Sequence, residues 1–339
     1  MSKALLSLLI VWFLAACAPL QAAPPTLKIG LVGPFEGLHR PLGYEVLFAV
    51  KLAIQERNAT GGLQGYQIEL VALNDFDEPA EAERQAKALV VDPAVLGVVG
   101  HLAPTATEAA LPIYQAAEVA VSVPWTIAEP DDESGRGVIR LAANQTESLA
   151  RLAEAAKAQG VSQPFSLTTA DVTAIPDQAQ GLTLLTDGVT AGEIILALAQ
   201  PQRHLPLFGG PEVGSPQLTQ VAGSQATGLI FVSPGPNPVE VPAAAEFVRA
   251  YQALASFAPG PRAGLAYDAT QVLLDAIEAA LSETGRLPTR ATVSAKLGQV
   301  QRAGLSGDIA FDGQGQRKGQ PVWLYQIVDG SYPGKLIYP

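Results

Sequence analysis

Residues suited to catalysis or metal binding are few in this 339-residue chain and lie far apart. The histidines are His39, His101 and His204 and the single cysteine is Cys17, so no close-spaced Cys/His set can hold zinc and no intramolecular disulfide can form. The sequence has no Gly-x-Ser-x-Gly elbow, no P-loop and no His-Glu-x-x-His, which argues against an enzyme; neither a metal nor a cofactor is expected. What it offers instead is hydroxyls and acids placed just after apolar runs. Thr105-Ala106-Thr107-Glu108 spells a capping box, with Thr105 as N-cap and Glu108 at the third helical position. The start of a helix carries free N–H groups and the positive end of the dipole, so the Thr105 hydroxyl could close the helix or meet the carboxylate of a ligand.

Charge and composition narrow the partners. Lys plus Arg is 21 against 32 Asp plus Glu, a net charge of −11, the wrong sign for a protein that grips nucleic-acid phosphates. With 48% hydrophobic and 16% charged residues the chain is globular, and its length suits two domains or one large α/β unit. Met1 to Cys17 joins one positive charge, Lys3, to an apolar run too short to span a bilayer, the pattern of an export signal. Its end, Leu14-Ala15-Ala16-Cys17, resembles the lipobox of bacterial lipoproteins, which implies cleavage before Cys17 and lipidation of that residue. Residues 17–25 then form a tether that holds the protein outside the cytoplasmic membrane.

The elements that must position a site alternate along the mature chain. Strands are expected at 27–32, 68–73, 95–99 and 119–123, with helices at 46–54, 80–91 and from Thr105. A second series follows: helix 145–158, strands 165–168 and 182–186, helix 191–199, strand 205–209, helix 217–221 and strand 228–232. Such alternation indicates parallel βαβ units. Helices at 243–254 and from an Asp268 cap to Gly285 come next, and 307–315 with 322–328 reads as a β-hairpin with an Asp-Gly turn.

Several stretches, KIGLVGPFEG, ERNATGGLQGYQIELVALND, VVGHLAPTAT, FGGPEVGS, AYDATQVLLDAIEAA and IAFDGQGQRKG, occur in family order over almost the whole mature chain. Together they resemble the type I periplasmic solute-binding receptors of the leucine/isoleucine/valine-binding family, which serve ATP-binding-cassette importers. The resemblance implies two Rossmann-like α/β lobes joined by three crossing strands, lobe 1 from 26–124 plus 234–302 and lobe 2 from 125–233 plus 303–339. It implies a small polar ligand, an amino acid or amide, in the cleft between them, a membrane permease as partner, and a monomeric receptor. Ligand contacts would come from Thr105, Thr126 with its neighbour Trp125, Glu212 on the ligand's ammonium, and Tyr267.

Three departures from the family qualify this. Pro104 stands where relatives carry a hydroxyl residue and supplies neither side-chain nor backbone donor, a loss on the order of 3 to 6 kcal/mol against about 8 for a ~1 μM site. The family's inter-loop disulfide positions are Asp77 and Ala103, so that clasp is missing. Between Gln163 and Leu182 the second lobe is short by a helix and a strand. These departures leave an alternative, a ligand-sensing or scaffold lipoprotein that keeps the fold without transport.

Overall fold

The structure, a computed structural model, describes residues 24–125, 137–199 and 204–338. The first half alternates β1 (Thr26–Gly33), α1 (Arg40–Ala59), β2 (Gln67–Asn74), α2 (Pro79–Val91), β3 (Val95–Gly100), α3 (Pro104–Ala116), β4 (Ala120–Val123) and β5 (Val138–Arg140). The strands lie in the order β2-β1-β3-β4-β5, all parallel. Chain order reverses between β1 and β3, the place where open α/β sheets leave a crevice at the strands' carboxyl ends. Every residue of β3 is buried, because helices cover both faces of the sheet, and its sequence is accordingly an unbroken small and apolar run.

The second half contains α4 (Gln145–Ala158), β6 (Phe165–Leu167), β7 (Leu182–Leu184), α5 (Gly188–Ala199), β8 (Leu207–Gly209), α6 (Pro216–Ala222) and β9 (Ile230–Ser233). After it come α7 (Ala245–Ala255), α8 (Pro261–Thr284), α9 (Arg290–Leu297), the hairpin β10 (Arg302–Gly304) and β11 (Gly307–Ile309), then β12 (Trp323–Gln326) and β13 (Lys335–Tyr338). The second sheet runs β13-β12-β9-β8-β7-β6, with β6 to β9 parallel and the two C-terminal strands antiparallel. Its side chains alternate between two cores. Leu182, Leu184, Phe231 and Tyr325 pack with Ile194 of α5 and Leu218 of α6. Phe208, Ile230, Val232 and Leu324 pack with Leu152 and Ala156 of α4.

Helices α7, α8 and α9 return to the first sheet, contributing Tyr251, Leu273 and Leu297 to its core. Helix α8 lies so near β3 that a Cβ on Gly97 would stand 2.5 Å from Leu273 Cδ1. Arg57 of α1 reaches across to α8, bonding Gln271 at 3.1 Å and Glu278 at 3.0 Å.

The doubly wound α/β architecture agrees with the sequence expectation, but several details differ. Strand β5 joins the first sheet, so that sheet continues past residue 124, where the first lobe was expected to end. Ile309 and Phe311 pack into the first core, so the chain beyond residue 303 does not pass at once to the second half. The expected hairpin of 307–315 with 322–328 does not form: β11 pairs with β10, and β12 pairs with β9 and β13. A tight turn does exist there, with Asp312 accepting from the Gln314 and Gln316 N–H groups. Asp268 is no cap. It is buried inside α8, which begins at Pro261, and accepts from the Leu305 N–H, the Ser306 N–H and the Ser306 hydroxyl, tying the β10–β11 turn to that helix. Between β6 and β7, by contrast, the structure has the short connection that the sequence led one to expect, with one 3-10 turn, Val172–Ala174, and no α-helix.

Candidate functional site

Charged side chains collect where the carboxyl ends of the two sheets face each other. From the first half come His39 in the β1–α1 loop, Asp75 and Asp77 after β2, Glu108 on α3 and Arg262 in the first turn of α8; from the second come Asp187 after β7 and Glu212 after β8. His39 Nε2 lies 3.8 Å from Asp77 Oδ2. Burial pushes the Glu212 carboxyl above its ordinary value; Arg262 pulls it back, while Asp77, Asp187 and Glu108 push it further up. Asp77 is raised by burial as well, against His39. For Asp187, burial acts upward but loses to the Thr190 hydroxyl and the N–H groups of Thr190 and Val189, so its carboxyl sits below the usual range. Desolvated acids from opposite halves thus confront each other, an arrangement that favours a cation between them.

The halves also touch directly. Arg262 donates to the Gly214 carbonyl at 3.3 Å, and the Gln217 side-chain amide donates to the Leu38 carbonyl. Arg262 is buried, and it serves Glu45 as well, whose carboxylate accepts the Ala263 N–H at 3.1 Å.

The loops after β2 and β3 are joined by a buried chain of polar groups that sequence reasoning missed. His101 Nδ1 lies 2.7 Å from Asp75 Oδ2 and His101 Nε2 lies 3.0 Å from the Tyr114 hydroxyl, all three residues being fully buried. The Asp75 carboxylate also accepts the Asp77 N–H at 3.0 Å. Although Asp77 and Ala103 form no covalent clasp, this pair ties the same two loops.

The expected site residues fare differently. Glu212 lies in the cleft. Thr105 is exposed at the second position of α3; Pro104 takes the first position and Ala103, without a side-chain bond, is the N-cap, so the capping box does not form. Proline suits the first helical position because no partner exists there for its missing N–H, and that signal outranked the Thr-x-x-Glu spacing. Thr107 is a buried helix residue whose hydroxyl donates to the Ala103 carbonyl at 2.7 Å. Trp125 is packed in the first core, and its indole N–H has no partner among the described residues. Tyr267 is not brought to the cleft: its hydroxyl donates to Glu56 of α1 at 2.5 Å and its ring lies 5.0 Å from that of Phe247, so it serves helix packing. Thr126 and Cys17 lie outside the described residues. Asp187 and His39 were not anticipated, since Asp187 reads locally as a helix cap and His39 as a loop residue. Among the described residues no group of His, Cys, Asp and Glu could hold a metal ion, and no helix is long and apolar enough to cross a membrane.

Comparison with known proteins places this geometry. A family described as periplasmic binding protein matches residues 26–178 and 165–331. The Leu/Ile/Val-binding protein of Escherichia coli K12 is 24% identical over 352 residues, covering 90% of this chain and 93% of that protein. An amino acid binding protein of Pseudomonas aeruginosa is 31% identical over 114 residues, 33% of this chain and 30% of that protein. The substrate-binding protein LivJ of a branched-chain amino acid transporter from Streptococcus pneumoniae, solved with isoleucine, superposes with a TM-score of 0.76 at 22% identity, over 93% of this chain and 100% of that one. A match from residue 26 to residue 331 covers nearly all of the two-sheet structure, and with the cleft between the sheets it shows that the chain belongs to the periplasmic binding protein family, with the type I fold.

Proposed function

We propose that the protein is an extracytoplasmic receptor that closes over a small polar ligand bearing a protonated amine and delivers it to an ABC importer, without catalysis. The observation that carries this reading is the facing of Glu212, Asp77 and Asp187 from the two halves in a place where burial acts on all three carboxyls and leaves Glu212 and Asp77 raised. The ligands named for the relatives, leucine, isoleucine and valine, carry such an amine. Glu212 would hold the ammonium from the second half and Thr126, with the N-terminus of α3 and Thr105, would face the ligand's other end. Titration calorimetry with L-leucine and L-leucinamide tests this: one or both should bind, and Glu212→Ala should cost on the order of 2 to 5 kcal/mol. If neither binds and no small molecule is retained on gentle purification, the reading fails.

A second reading, a sensing or scaffold protein without transport, is favoured by Pro104 and by the single 3-10 turn between β6 and β7. Failure of the protein to restore uptake alongside a permease, with binding intact, would select it. On either reading the lobes are the two sheets with their helices, the receptor acts as a monomer and Cys17 anchors it to the membrane. Cys17→Ser should then move the protein from the membrane fraction to the soluble one.

A further inference from the structure

A second space between the halves is independent of the acidic cleft. It is a cavity of about 790 Å³, walled on the first side by α1 and the α7–α8 loop and on the second by α6 and the β12–β13 loop, with Asn237 and Val239 at the crossing segment. Asp77, Asp187 and Glu212 are not among its walls. On α6 the Gln217 side chain bonds Leu38, while Pro216, Thr219 and Gln220 line the cavity.

The lining has a definite chemistry. Three aromatic rings, Tyr44, Phe257 and Tyr332, and four prolines form flat apolar walls. Two of the lining side chains, Phe257 and Val239, are large hydrophobics left in water, at 44% and 54% exposure, which is unfavourable unless something covers them. The charged residues on the wall are Glu45 and Arg40. Glu45 is buried and already engaged by the Ala263 N–H and by Arg262. The exposed Arg40 has its guanidinium 4.8 Å from the Tyr44 ring centroid and no carboxylate at ion-pair distance among the described residues. The uncommitted charge of the cavity is therefore positive, and it stands over an aromatic ring.

We propose that this cavity is a second ligand site that takes a planar aromatic monocarboxylate, with the ring among Tyr44, Phe257 and Tyr332 and the carboxylate on Arg40. Guanidinium groups pair with carboxylates and stack on aromatic faces at the same time, so one residue serves both ends of such a ligand.

The test uses 2-naphthoate as probe, followed by calorimetry. Saturable binding to the wild type is expected, with Kd below about 1 mM. Loss of one charge-assisted contact in Arg40→Met should weaken it roughly tenfold to a hundredfold, and the neutral 2-naphthylmethanol should bind correspondingly less well. Phe257→Ala should weaken binding by removing one of the rings that hold the probe, whereas Glu212→Gln should leave it unchanged. Melting curves establish that each variant folds, and should Phe257→Ala not fold, the Arg40→Met and alcohol arms decide. No saturable binding to the wild type overturns the proposal, as does binding that is unchanged in the folded Phe257→Ala variant. Equal affinity for acid and alcohol overturns the carboxylate assignment, and loss in Glu212→Gln would mean that the probe occupies the acidic cleft instead.

Discussion

Glu212 is a residue whose ionisation should be visible both in binding and in stability. Its carboxyl is raised by burial and by Asp77, Asp187 and Glu108 across the cleft, with Arg262 opposing. An ammonium ligand needs the ionised form, so binding should release a proton and tighten as pH rises from the ordinary carboxylate range through the raised value. Folding runs the other way. Below its unfolded-state value the residue is protonated in both states and costs nothing; above it the unfolded chain ionises first, so stability falls until the folded-state value is passed. Glu212→Gln should accordingly reduce the pH dependence of ligand affinity, leaving the part that the raised Asp77 carries, and make the folded protein more stable at neutral pH, read by calorimetry and by melting temperature across that window. A variant that keeps the full pH dependence would show that another carboxyl carries it. The sequence made Glu212 legible because it follows a short apolar run within FGGPEVGS. Asp187 and His39 were not legible, since their importance comes from what stands opposite them on the other half, and no local pattern encodes that.

At the scale of elements, strands and helices could be read from apolar runs and periodicity, whereas pairing partners could not. Helix α4, Gln145–Ala158, came out with both expected ends, because Asn144 is a true N-cap whose side chain accepts the Glu147 N–H and the chain turns at Gly160. Strand β12 has an equally clear apolar signal, but its partner β9 lies some 90 residues earlier and only the assembled core selects it. The Asp75–His101–Tyr114 chain is likewise non-local, with each member on a different element. Its energetic weight follows from full burial: removing the imidazole leaves Asp75 Oδ2 desolvated without its partner, with only Oδ1 still accepting the Asp77 N–H. His101→Ala should therefore destabilise the protein by about 3 to 5 kcal/mol in urea unfolding. Asp75→Asn combined with His101→Ala should cost less than the two single changes added together, because each has already removed the same pair. A single-variant loss under about 1 kcal/mol would mean that the loops after β2 and β3 are held by packing alone.

At the scale of the molecule, two sheets, each packed with its own helices, touch across the cleft, and the bonds there set how easily the halves separate. The contacts between the halves at the cleft include Arg262 to Gly214 and Gln217 to Leu38. At about 0.5 to 1.5 kcal/mol net for the neutral Gln217 bond and about 1.5 to 3 for the charged Arg262 donor, such contacts would hold the halves of the proposed receptor together without locking them. Arg262 is a poor place to test this, because it is also the countercharge of Glu45 and its removal would damage α8 itself. Gln217→Ala removes a cross-cleft bond at little cost to either core. Small-angle scattering should show a larger radius of gyration for ligand-free Gln217→Ala than for ligand-free wild type. Saturation with whichever of leucine and leucinamide binds should bring both to the same smaller value, since the ligand's own contacts with the two halves outweigh one hydrogen bond. Identical curves in the free state would show that the Gln217 contact does not govern opening. A bound ligand that leaves both curves unchanged would remove hinge closure from the mechanism while sparing the fold.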